Sequence, residues 1–229
     1  MMSSAADEII GLYERHAPAW DRARSADLVI ERAWMERFVA RMPSGGTVLD
    51  LGCGSGQPIA RYLLERGFTV VGVDASPTLI AQCRSRFPEA EWVLADMRTL
   101  SMGRQFDGVI AWDSFFHLSH ADQRAMFAIF REHASPDAPL LFTTGPGHGE
   151  AIGMFEGEAL YHASLAPEEY GTLLAAQGFK VLDHMAEDPD CGRHTVWLAQ
   201  YVQPEAMPQE TAFARPVSRS ARPTGETRD

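Results

Sequence analysis

Between residues 47 and 144 short strand-like runs alternate with helix-like segments, and no other feature of the sequence restricts the fold so strongly. The runs are Thr47–Leu51, Phe68–Val73, Glu91–Ala95, Phe106–Trp112 and Pro139–Thr144. Helices read between them. One runs from Pro58, a residue suited to a first turn, to Arg66 and stops at Gly67. Another starts at Ser76-Pro77 and continues through Arg86. A third follows the capping signal Ser119-x-x-Asp122 and reaches about His133. Such alternation calls for a mainly parallel sheet covered by helices on both faces. Beyond a helix from Pro167 to near Gly178, Phe179–Ala186 and His194–Val202 read as two more strands, joined by residues 187–193. That connection is too short for a parallel crossover, so these two strands pair antiparallel. The predicted fold is α/β: a doubly wound, seven-stranded, mainly parallel sheet with one antiparallel strand near the C-terminal edge.

Two helices are expected ahead of the sheet, from about Ala5 to Ala17, ending before Pro18, and from about Ala26 to Met42 with Ser25 as cap. They form a helical N-terminal lid over residues 1–43, with the core at 44–202 in the same domain. From Gln203 to Asp229 apolar periodicity is lost among four prolines and balanced charges, which predicts a disordered tail. The formal charge of −11 therefore belongs to residues 1–202 and disfavours nucleic acid or an anionic membrane as partner. No apolar run approaches the roughly 20 residues of a bilayer span. Three scattered cysteines and an acidic start at Met1–Glu8 lead to the expectation of a cytoplasmic protein with no disulfide framework and no metal site.

The chemistry concentrates where strands end. Gly52-Cys53-Gly54-Ser55-Gly56 lies between a strand and a helix, where glycines let backbone amides approach a ligand and the helix start attracts negative charge. Asp74 ends the second strand and can accept two ribose hydroxyl hydrogen bonds. Asp96 ends the third strand in the same way, and Asp50 precedes the glycines. The spacing is Gly-x-Gly-x-Gly, with Gln57 where a dinucleotide loop places its third glycine. A pyrophosphate would meet repulsion from Asp50. A ligand with a ribose, an adenine and a positively charged end fits better.

Four segments carry a family resemblance over roughly residues 45–145. Val48–Gly56 resembles the first motif of the class I S-adenosylmethionine-dependent methyltransferases. Val71–Ser76 resembles the second, Leu94–Met97 the third and Phe106–Trp112 the fourth. The resemblance implies a small-molecule methyltransferase that uses S-adenosyl-L-methionine. It implies that Gly52, Gly54 and the Asp50 region line the methionine end of the cofactor. Asp74 would hold the ribose, with Ala75 beside it. Asp96 would meet the adenine amino group, Met97 the ring, and Trp112 the methyl group. The resemblance to small enzymes with an N-terminal lid makes Tyr13 and Trp20 cofactor contacts, or aromatics that pack the lid.

The acceptor side is read from three places: the lid, the segment Asp113–Leu118 and the long connection Gly145–Ala166, taken as a loop. His117, His148 and Tyr161 are the catalytic candidates, each with a hydrogen-bonding or solvated role as the alternative. Two other classes of function remain open at this stage: a nicotinamide-dependent oxidoreductase, and a non-catalytic protein that binds S-adenosylmethionine.

Overall fold

Five strands run parallel because each connection returns the chain to the same edge of the sheet, through a helix in three cases and through a loop with one short 3-10 turn, Met97–Thr99, in the fourth. The computed structural model describes residues 5–203. Strands β1 (Thr47–Leu51), β2 (Thr69–Asp74), β3 (Glu91–Leu94), β4 (Gly108–Ala111) and β5 (Pro139–Thr144) are joined by these crossovers. Two more strands that pair with this sheet, β8 (Phe179–Asp188) and β9 (His194–Tyr201), complete the order β3-β2-β1-β4-β5-β9-β8. Strand β9 is antiparallel to both β5 and β8. This is the expected doubly wound α/β architecture with its reversed strand.

Alternate residues of each strand feed opposite layers. Leu49, Leu51, Phe142 and Trp197 pack with Phe115, Phe127, Phe130 and Tyr170 in one layer. The layer gathers under α5 (His120–His133) and α6 (Pro167–Ala176). Val48, Val70, Leu141 and Leu198 pack with Trp34, Phe38, Leu63 and Ile80 in the other. That layer sits under α2 (Arg32–Val39), α3 (Ile59–Glu65) and α4 (Pro77–Arg86). Ser119 and Ser76 cap α5 and α4 by accepting from Asp122 N–H and Leu79 N–H, which fixes where each helix leaves the carboxyl edge.

Three expectations are corrected. The first helix, α1 (Ile9–Ala23), continues through Pro18 instead of ending before it. Pro18 has no N–H to donate, and the helix accommodates it by leaving helical geometry at His16 (φ −109°, ψ 15°). The second helix is only Arg32–Val39. Ser25 does not cap it; its hydroxyl accepts from Asp27 N–H in a local turn that competes with helix. The connection Gly145–Ala166 is no loop. It contains strands β6 (Gly149–Phe155) and β7 (Glu158–Ser164), an antiparallel hairpin outside the main sheet. Its turn, Glu156-Gly157, holds both residues at positive φ (50° and 83°), the twist that a two-residue hairpin turn demands. The tail expected from Gln203 lies outside the described residues from 204 onward.

Helix α1 is fastened over the carboxyl edge of the sheet. Glu14 accepts from Ser76 Oγ (2.5 Å), Thr78 N–H (3.1 Å) and Thr78 Oγ (2.6 Å), at the start of α4. Arg86 joins Asp21 of α1 (2.9 Å) to the Ser55 carbonyl of the glycine loop (2.9 Å). Glu158 of the hairpin pairs with Arg15 and His16.

The carboxyl edge near the glycine loop depends on one close approach. The Trp92 ring lies over Gly72, where an added Cβ would stand 2.3 Å from the indole and 2.9 Å from Cys53 Sγ. Gly72→Ala is therefore expected to lower stability by about 1–3 kcal/mol through overpacking. Urea unfolding measures this, and an unchanged midpoint would show that the Trp92 ring moves aside without cost.

Candidate cofactor and acceptor site

The ends of β1, β2 and β4 open between α1 and the sheet into a cavity. Gly52 and Gly54 form its floor; Asp74, Ala75 and Ser76 form one side, and Asp96 and Met97 the far end. Tyr13 and Trp20 of α1 roof it, and His117 and Asp113 close the near end. Gly52 and Gly54 both hold φ in the left-handed region (76° and 56°). A Cβ at Gly52 would lie 2.3 Å from Ser114 Cβ, so only glycine keeps this floor clear.

Asp74 organises the loops. Its Oδ2 accepts from Gly54 N–H and its Oδ1 from Ser76 N–H, each at 2.9 Å. Burial pushes its carboxyl up to about 6, against the pull of the Ser76, Gly54 and Ala75 amides. An ionised carboxylate offers about four acceptor sites, so Asp74, which lines the cavity, has capacity left for further donors. Asp96 is engaged by its neighbour: Arg98 donates to both of its oxygens from Nε (3.1 and 2.9 Å). Burial raises the Asp96 carboxyl, but these Arg98 bonds outweigh it and hold the group below the usual range.

A second cavity adjoins the first behind Gly52 and Gly54, lined by Asp50, Trp20, Arg24, Gln57, Trp112 and Asp113 among others. Asp50 and Trp112, both expected at the site, lie here. Burial, then the neighbouring Asp74 charge, lifts the Asp50 carboxyl to about 7. The Trp112 indole N–H is buried and has no hydrogen-bond partner among the described residues. Arg24 donates to Asp113 Oδ2 (3.1 Å) and lies over the Trp20 ring. A buried carboxyl, an unpartnered donor and a guanidinium around one space match a ligand with both an ammonium and a carboxylate.

The catalytic candidates separate. His117 lines the main cavity. Its Nδ1 stands 2.8 Å from the Tyr161 carbonyl, which only accepts, so Nδ1 carries the proton. Its Nε2 lone pair then receives the Tyr13 hydroxyl at 2.8 Å. Burial pushes the imidazole down to about 4, so it is neutral near pH 7. The Tyr161 side chain does not line the cavity. Its hydroxyl donates to Glu150 (2.9 Å) while its ring packs with Ile9 and Ala163. Its contribution at His117 is the main-chain carbonyl. His148 stacks on His120 (ring centroids 4.6 Å apart) and is likewise not a lining residue.

Sequence reasoning did not assign Arg24, Asp113 and His194 to one cluster. His194 Nε2 stands 2.9 Å from Asp113 Oδ1. Asp113 holds φ 51°, a conformation that non-glycine residues adopt where structure constrains them. The one available signal was the crowding of polar residues in Asp188–His194 beside a strand start. Phe155 of the hairpin was also missed; it packs on Tyr13, His16 and Trp20 (centroids 5.9–6.1 Å).

A glycine floor beside a buried carboxylate lies at the carboxyl edge of a parallel sheet, the place where open α/β sheets bind their ligands. Residues 48–137 match the family described as a methyltransferase domain. The chain is 36% identical over 99 residues to trans-aconitate 2-methyltransferase of Azoarcus sp. (strain BH72), covering 41% of this chain and 39% of that protein. It is 30% identical over 127 residues to dTDP-3-amino-3,4,6-trideoxy-alpha-D-glucopyranose N,N-dimethyltransferase of Streptomyces venezuelae, covering 53% of each. It thus spans about half of such relatives, or less. Among solved structures, the fold resembles an amino pentose methyltransferase of Micromonospora echinaspora bound to S-adenosylmethionine. That match has a TM-score of 0.62 at 21% identity, over 82% of this chain and 96% of the other. It also resembles the 1,6-didemethyltoxoflavin-N1-methyltransferase of Burkholderia thailandensis (TM-score 0.64, 20% identity, 89% and 92% covered).

The raised Asp50 carboxyl has a consequence for stability. It is protonated in the folded chain below about 7 but only below 3.8 when unfolded, so its contribution is present at low pH and lost as pH rises through about 7. Asp50→Asn is expected to stabilise the ligand-free protein above that pH by about 1–3 kcal/mol, while weakening its hold on an ammonium-bearing ligand. Urea unfolding at two pH values, with S-adenosylhomocysteine titration, checks both; a variant less stable at high pH would contradict the assignment.

Proposed function

We propose that this protein is an S-adenosyl-L-methionine-dependent methyltransferase that methylates a small molecule. The observation that carries this reading is the pairing of two recognitions on either side of Gly52–Gly54. Asp74 offers two acceptors for ribose hydroxyls, and the Asp50–Trp112–Arg24 space suits the amino-acid end of the same ligand. The relatives' names support the chemistry, and the net negative charge of the chain favours small over polyanionic acceptors.

Bound S-adenosylmethionine supplies a methyl group already activated by its sulfonium. The protein's part is then alignment, which alone accounts for much of the acceleration in such transfers. Asp74 fixes the ribose while Met97 and Asp96 border the adenine end. Arg24 and Trp112 Nε1 meet the carboxylate, and Asp50 meets the ammonium. Tyr13 and Trp20 cover the reacting centre with aromatic faces that exclude water and favour positive charge. His117 presents an unprotonated Nε2 at the acceptor end, held in that tautomer by the Tyr161 carbonyl. An acceptor bearing O–H or N–H takes the place of the Tyr13 hydroxyl there and passes its proton to Nε2. This geometry favours His117 over His148 and the Tyr161 hydroxyl as the acceptor-side base.

Thermal-shift titration with S-adenosylmethionine, S-adenosylhomocysteine and NADH tests the cofactor. Stabilisation by the first two alone is expected, and stabilisation by NADH alone would reverse the reading. In Asp74→Ala the loss of hydrogen bonds to a carboxylate should cost about 1.5–3 kcal/mol each, or at least tenfold in affinity. A labelled-methyl acceptor screen then tests His117→Ala, in which kcat should fall by about 10²–10⁴ for an acceptor that must lose a proton. Turnover unaffected by that substitution would remove His117 from the chemistry.

A further inference from the structure

His194 takes no part in the reading above, yet its environment is built. It opens β9, at the far end of the chain from the lid, and its ring stacks on Trp112 (centroids 5.8 Å, 24° between planes). Its Nδ1 lies 2.7 Å from the Cys191 carbonyl. A carbonyl cannot donate, so Nδ1 carries a proton. Its Nε2 lies 2.9 Å from Asp113 Oδ1, an ion-pair distance without aligned hydrogen-bond geometry, so a neutral ring would set an unprotonated nitrogen beside a carboxylate oxygen. That contact is attractive only when both nitrogens are protonated. The Nδ1 proton and the nearness of the carboxylate to Nε2 together favour an imidazolium at this position.

Asp113 stands between this imidazolium and Arg24, whose Nη1 is 3.1 Å from the other carboxylate oxygen. The Arg24 side chain is also 3.9 Å from Glu31 and 5.1 Å from the centre of the Trp20 ring. Asp113 and Arg24 both line the inner cavity. One carboxylate thus divides its attraction between two cations, only one of which can lose its charge near neutral pH. We propose that His194 is a positioning residue for the cofactor: protonated, it neutralises Asp113 and frees the Arg24 guanidinium for the carboxylate of the cofactor's amino-acid end. Deprotonated, it leaves Asp113 to compete with that carboxylate for Arg24. The inference rests on the cofactor reading given above.

The charged and titratable groups that face His194 are few. Asp113 comes from the end of β4, Arg24 from the end of α1 and Glu31 from the approach to α2. The turn before β9 gives His194 the Cys191 carbonyl, and its Asp188 charge bears on the Cys191 thiol. The Asp113 contact raises the imidazole's affinity for its proton above the usual range, against burial. The same contact, with that of Arg24, keeps Asp113 ionised despite its burial. Asp50 and Asp74 also titrate near neutrality, so the pH dependence of binding must be read as a ratio between proteins that share them.

The test is calorimetric titration of S-adenosylhomocysteine into the full chain and its His194→Gln variant. Near pH 6 the wild type should bind about five- to tenfold more tightly than the variant, and near pH 9 equally, since an imidazole that holds its proton about tenfold more tightly in the complex than in the free protein changes affinity by the same factor across that range. A ratio of affinities that is constant with pH overturns the role of His194 while leaving the cofactor reading intact. Absence of binding to either protein at every pH overturns the cofactor reading itself. Should His194→Gln alter the circular dichroism spectrum, Asp113→Asn provides an independent arm. Without the competing charge it should match the wild type near pH 6 and bind more tightly than the wild type near pH 9. A pH-independent ratio there also overturns the proposal.

Discussion

Two hydrogen bonds to one carboxylate hold the working edge of this protein together. Asp74 ends β2 and ties Gly54 to Ser76, so the glycine loop after β1 and the cap of α4 after β2 become one surface. The bonds are between a charge and backbone amides, the stronger kind, and they form where burial would otherwise neutralise the acid. Everything nearby is arranged from that surface. Glu14 reaches the same α4 terminus from the lid, and Arg86 reaches the same glycine loop from α4. The first helix is thus fixed to the two loops that floor the cavity, and its aromatic residues Tyr13 and Trp20 line that cavity as a consequence.

The parallel core was legible because its strands are buried on both faces and its helices carry strong punctuation. Val48-Leu49, Val70-Val71 and Leu140-Leu141 are apolar in succession, with no alternation to confuse with a helix face, and Ser76-Pro77 and Ser119 announce the helices. The hairpin β6–β7 was illegible for the opposite reason. Its strands are half exposed, its turn is Glu-Gly, and its polar and apolar residues keep neither period cleanly. The lid was misjudged through Pro18, since a sequence gives no sign that a helix will break two residues earlier and carry on. Ser25 satisfied the rule for a cap but found a nearer donor.

In the site, the positions that end parallel strands were readable from topology alone. Asp74, Asp96 and the glycines reach the cavity because β-strand direction sends them there. The acceptor side was harder because its geometry comes from pairs distant in sequence. His117 gains its tautomer from Tyr161 and its hydroxyl partner from Tyr13, separations of 44 and 104 residues. His148 and Tyr161 are chemically suitable, and nothing in their neighbours distinguishes them from His117. What separates them is the hairpin's pleat, which pairs the Tyr161 hydroxyl with Glu150 and leaves only its carbonyl for His117.

Electrostatics connects the two halves of the cavity. Arg98 is held by Asp96, Arg86 by Asp21, Arg24 by Asp113, and Arg15 by Glu158. Each of these guanidinium groups is already answered by a carboxylate of the chain, so positive charge there is rationed rather than abundant. Burial then decides what each acid can do. Asp96 and Asp113 have cations close enough to stay ionised, whereas burial pushes Asp50 and Asp74 toward neutrality, with the Asp74 charge adding to the effect on Asp50 and the Glu14 charge to that on Asp74. A ligand that brings hydroxyls to Asp74 and an ammonium to Asp50 relieves that tension, and an anionic ligand would increase it. The acidic lining is thus costly to the ligand-free protein and would favour a ribose-bearing, cationic ligand, which is the physical ground of the function proposed for this edge of the sheet.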